Sequence, residues 1–133
     1  MTTKNLTFSF CDLIIIDDYL VEVIPHEGVE FGEKELKEYH DFYNQLKSPV
    51  GVLVNRKHSY SYSFNAQMNI TKNINISAVA FLIEDISKYN KAKLVMMAIK
   101  GDTPIKLFSD RVTALDWLKR YSNKTYVENK ENH

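Results

Sequence analysis

Residues 77–121 read SAVAFLIEDISKYNKAKLVMMAIKGDTPIKLFSDRVTALDWLKRY. The unbroken apolar run over 76–83 predicts a strand covered on both faces, because a strand with one wet face alternates instead. Residues 87–100 follow as a helix of two characters. Its first half sets Lys88, Lys91 and Lys93 around a narrow stripe of Tyr89 and Ala92. Its second half, Leu94, Val95, Met96, Met97, Ala98 and Ile99, is apolar all round, which suits a half-helix wedged into the fold or covered by a second molecule. Gly101 is a C-terminal cap signal. Pro104 opens a strand over 105–108, and Asp110 or Ser109 caps a closing helix whose inner face is Ala114, Leu115, Leu118 and Tyr121, with Trp117 alongside. Strand and helix in alternation, with almost no loop between them, predict a mostly parallel sheet with right-handed crossovers.

Upstream, residues 6–25 read as a β-hairpin. Phe8 and Phe10 alternate with Thr7 and Ser9, residues 13–16 form a β-branched run suited to cover on both faces, Asp17-Asp18 supplies the reversal, and residues 19–24 alternate again to Pro25. In that alternation Leu20, Glu22 and Ile24 share a side. A loop with two glycines leads to a helix over 33–47, with Leu36, Tyr39 or His40, Tyr43 and Leu46 on one face. Ser48-Pro49 ends it. Residues 50–55 make a short apolar strand, and Ser63 caps a short helix over 64–72 after an extended stretch. The element order is β-β-α-β-α-β-α-β-α: one α/β domain over 1–121, its mixed, mostly parallel sheet opened by a β-hairpin, with a polar C-terminal tail over 122–133.

At 133 residues there is room for one domain with one substantial core. Seventeen basic and seventeen acidic residues leave no net field toward nucleic acid or an anionic membrane, so no nucleic-acid partner is expected. The single cysteine, Cys11, leaves no internal disulfide and no cysteine pair for zinc. No apolar run is long enough to span a membrane, and MTTKNLTFSF has no secretory signal pattern. A cytoplasmic protein without a cofactor or metal is the expectation.

The run SAVAFLIED…KLVMMAIKG…TPIKLFSDRVTALDWLK resembles the SpoIIAA-like, or STAS-like, small bacterial domains. The matching residues are Ala78-Val79-Ala80, Pro104, Phe108, Ala114-Leu115 and Trp117-Leu118, all of core or capping type. The resemblance implies a STAS-like fold. The best-understood members, anti-sigma factor antagonists, are phosphorylated on a serine at the start of the helix after the third strand, which makes Ser63 the corresponding phosphoacceptor candidate. Here no Asp stands beside Ser63 and no glycine follows it, so the residues themselves read as a helix cap.

The residues that could carry chemistry are sparse. Arg56, Lys57 and His58 form a basic cluster at the carboxyl end of a strand, where open α/β sheets place ligands. With Tyr60 and Tyr62 they are the best candidates for an anion or aromatic-ligand site, and Glu84-Asp85 could answer them electrostatically. His26-Glu27 and His40-Asp41 are sequence neighbours and read as surface pairs. No phosphate-binding glycine loop or nucleophile elbow occurs. Three readings stay open: a non-enzymatic, regulatory interaction module with a protein partner or self-association through Leu94, Val95, Met96, Met97 and Ile99; a small-molecule or lipid carrier with an apolar pocket between the sheet and the third helix; and an enzyme using His58 or His26.

Overall fold

A computed structural model describes residues 4–72 and 75–131, from 122 onward as helical backbone alone. In chain order the elements are β1 (Lys4–Thr7), β2 (Cys11–Asp17), β3 (Leu20–Pro25), β4 (Glu30–Phe31), α1 (Glu33–Asn44), β5 (Val50–Asn55), β6 (Ser61–Tyr62), α2 (Phe64–Asn69), β7 (Ile76–Leu82), α3 (Tyr89–Ala98), β8 (Ile105–Phe108) and α4 (Arg111–Glu131). Six strands form one mixed sheet in the order β1-β2-β3-β5-β7-β8. β1 and β2, and β2 and β3, are antiparallel; β3, β5, β7 and β8 run parallel. The α/β class and the mixed sheet agree with the sequence pattern.

Alternation along the strands builds two cores. Val79 and Phe81 of β7 join Leu13, Val21, Val23, Val52 and Val54 beneath α1, α2 and α3. On the other face Ala78, Ala80 and Leu82 join Leu20 and Leu53 beneath α4, which inserts Ala114 and Leu118. The small residues there let α4 come close. A Cβ on Gly51 would stand 3.2 Å from the Leu118 Cβ, so glycine gives the helix its seat. Both faces of β7 are therefore covered, as its unbroken apolar run requires.

Several local expectations change. The first strand is Lys4–Thr7, not the Phe8–Phe10 alternation. Phe8 N–H donates to the Cys11 carbonyl (2.8 Å) and closes a turn, freeing the Phe10 ring to meet Phe31 at 4.8 Å. β4 and β6 are additional strands that pair with each other, fastening the loop after β3 to the segment before α2. Along residues 13–16 only Leu13 is buried, because α4 lies over β5 and β7 and leaves Ile14 and Ile16 half-buried. α1 ends at Asn44, where Gln45 and Leu46 N–H turn back to Phe42 and Tyr43 carbonyls and the Asn75 amide takes those of Tyr43 and Leu46. The third helix begins as a 3-10 turn, Ile86–Lys88, capped by Asp85, and ends at Ala98. The closing helix, capped by Asp110 through Thr113 N–H (2.8 Å), continues past Tyr121 to Glu131. Side chains of the expected polar tail, 122–133, lie outside the described residues.

Candidate functional site

The five residues expected to form a ligand site divide between core and surface. Val52, Val54 and Arg56 share a strand face, so Arg56 points inward and is only 6 % exposed. Its guanidinium lies 4.4 Å from the Tyr60 ring centroid and 5.4 Å from that of Phe81. Such cation–π contacts offset part of the desolvation of a buried cation. Its Nη1 is nevertheless buried without a hydrogen-bond partner among the described residues. Tyr60 is buried and its hydroxyl meets that of Tyr62 at 3.0 Å. Burial pushes the phenols of Tyr39, Tyr43, Tyr60 and Tyr62 all upward, so they are neutral across the ordinary pH range. Lys57 and His58 point the other way. Lys57 is exposed and lends its carbonyl to Lys88 Nζ (3.0 Å); His58 Nδ1 stands 3.7 Å from Glu27 Oε2.

The remaining candidates have structural roles. Ser63 Oγ accepts from Ala66 N–H at 3.1 Å and caps α2. His26 pairs with Asp12 (3.1 Å) and not with its neighbour Glu27, which accepts from Ser59 N–H (2.8 Å). His40 Nε2 meets the Ile70 carbonyl at 3.0 Å. Asp85 is spent on its cap, accepting from Ser87 N–H at 3.0 Å, and the Glu84 carboxylate contributes to the field at Arg111. Among the described residues no three His, Cys, Asp or Glu side chains converge as metal ligands.

The chief polar centre is one that motif reading missed. Glu22, 2 % exposed on the central strand β3, accepts from both terminal nitrogens of Arg111, one of them at 3.0 Å. Asn55 Nδ2 donates to the same carboxylate at 3.1 Å. Burial alone raises the Glu22 carboxyl, but these hydrogen bonds outweigh it and hold it below the ordinary carboxylate value. A bidentate arginine clamp of this kind fixes the amino end of α4 to the sheet. The alternation Leu20, Glu22, Ile24 carried the signal: a carboxylate on an apolar face needs a partner.

The apolar end of the third helix also divides. Val95, Met96 and Ile99 pack on the core, whereas Leu94 is 69 % and Met97 64 % exposed. Between sheet and helix end lies a cavity of about 20 Å³ lined by Tyr39, Tyr62, Phe81, Ile99 and Ile105 among others, room for about one water. Larger grooves are open to solvent, such as one of about 410 Å³ over Ile15, Val21, Leu46 and Val50.

These features define an α/β fold with a clamped polar centre under α4 and one lysine-flanked helix that exposes Leu94 and Met97 to solvent. The chain belongs to the DUF7793 family, a domain of unknown function, whose model matches residues 26–122, from just after β3 into α4. No curated protein and no solved structure matches it. Among the described residues no helix is long and apolar enough to cross a membrane.

Proposed function

We propose that this chain is a non-enzymatic interaction module of STAS-like fold, acting in the cytoplasm in a regulatory role through the exposed face of α3. The observation that carries the reading is the exposure of Leu94 and Met97 side by side on a helix whose opposite face is already packed. Adjacent exposed apolar side chains on an otherwise settled helix mark a contact surface, and methionine adapts to the shape of a partner. The STAS-like part is supported by the element order from β5 to α4 and by the core residues Ala78, Ala80, Phe108, Ala114 and Leu118. The histidines engaged in surface pairs and carbonyl contacts favour a non-catalytic role. A carrier would have to lift α3 away from a cavity that now holds about one water.

A photo-crosslinking amino acid at position 94 tests this in cells, with position 37 on α1 as control. Discrete adducts at 94, absent at 37 and lost on adding Met97→Asp, are expected. Equal yields at both positions would overturn the reading. Because Met97 is mostly exposed, Met97→Asp is expected to leave the melting temperature within a degree or two, about the effect of an ordinary surface substitution.

A further inference from the structure

We propose that the occupant of the α3 face is an acidic amphipathic protein segment, an apolar anchor bordered by carboxylates. The inference rests on α3 being the contact surface. Residues 86–100 contain Lys88, Lys91, Lys93 and Lys100 and no acidic residue, in a chain whose seventeen basic and seventeen acidic residues balance only when these four are counted. Helical geometry orders them. Leu94, Met97 and Ala98, spaced by three and four, share one stripe; Lys91 lies one turn before Leu94 and Lys93 one turn before Met97. The apolar stripe thus carries a cation on each side. Lys88 is tied to the Lys57 carbonyl, whereas Lys91 and Lys93 are exposed and paired with no carboxylate among the described residues. The charge pattern asks for a complement: apolar in the middle, anionic at the rim.

A second copy of the chain does not supply it by a two-fold contact. Whichever way the two helices run, that contact would set lysine border against lysine border, and like charges across an interface repel. An anionic membrane supplies the charge, but the insertion is too slight. A single myristoyl chain gives only marginal membrane binding, and the Leu94 and Met97 side chains together contain fewer carbons than one. A groove or helix of shaped protein surface can instead enclose both.

The test titrates the full chain with a fluorescent Glu/Leu amphipathic helical peptide, its Lys/Leu counterpart, and phosphatidylcholine vesicles with and without phosphatidylserine. The acidic peptide is expected to bind, more weakly at high salt, and to shift the amide resonances of α3. Lys91→Glu with Lys93→Glu is expected to weaken it by about tenfold or more, since two borderline charge pairs are reversed, without lowering the melting temperature. Met97→Asp is expected to weaken it as well. Equal binding of the two peptides, insensitivity to the lysine reversal, or capture by anionic vesicles without peptide binding would each overturn the inference. Adducts at position 94 that survive the lysine reversal would overturn the acidic partner while leaving the α3 contact surface standing.

Discussion

Glu22 shows how much one side chain can commit. Its carboxylate is buried and its main partner, Arg111, is half exposed, so the two deletions differ. Removing a partner from a buried pair leaves an uncompensated charge. Arg111→Met is therefore expected to cost about 3 kcal/mol in urea unfolding, and combining it with Glu22→Leu to recover most of that loss. A carboxyl held below its unfolded value stabilises the fold above that value and ceases to do so as pH falls through the folded one. The wild type should accordingly lose stability below about pH 4, and Glu22→Gln should flatten that acid limb. Cys11 is the opposite case. Burial first, then the nearby charges of Asp12 and Glu38, push its thiol up to about 12. It should resist thiol reagents at about pH 8 in the native protein and react fully once unfolded. Neither residue belongs to a motif. Glu22 announces itself only as a charge out of phase on its strand face, and its partner, 89 positions away, is fixed by how α4 returns to the sheet.

At the scale of elements, Gly101 shapes the turn that follows α3. Its φ of +130° is one that side-chain-bearing residues rarely adopt, and a Cβ there would stand 2.1 Å from Thr71 Oγ1. That hydroxyl donates to the Lys100 carbonyl at 2.7 Å. Gly101→Ala is thus expected to cost about 1–3 kcal/mol by thermal or urea unfolding and to disturb the link between α2 and α3. The sequence reads that glycine as the helix stop, but α3 ends at Ala98 with Ile99 as its extended cap, two residues earlier. The strands β5, β7 and β8 and the core stripe of α1 were readable, because their period and their flanking prolines act locally. The partition of residues 94–99 was not. An apolar helix end looks the same in sequence whether one face or both are covered, and only the place where α3 meets the sheet decides. Likewise Arg56 reads as part of a basic triplet, yet its parity with Val52 and Val54 sends it inward and separates it from Lys57 and His58.

The whole molecule is a sheet with unequal covers, rich in aromatic rings on the side of α1 and mostly aliphatic beneath α4, where Phe108, Trp117 and Tyr121 are the exceptions. Four buried phenols belong to the aromatic side, and an unfolded chain sheds those protons near pH 10, about the ordinary tyrosine value. Since the folded chain retains them, stability should fall as pH rises past that point, and phenolate absorbance should appear together with unfolding. Sequence pattern sufficed for the α/β class and the parallel half of the sheet. It missed β4 and β6, whose two-residue ladder is set by loops meeting across the fold rather than by any periodicity. The aliphatic side has a consequence for synthesis. Every strand it covers precedes α4 in the chain, and chains emerge from the ribosome amino end first. Until Arg111 and the helix behind it have left the exit tunnel, the nascent sheet has nothing of its own to lay over Leu20, Leu53 and Leu82. The clamp at Glu22 can therefore close only once α4 has emerged, and a chain truncated before Arg111 is expected to leave that apolar face uncovered.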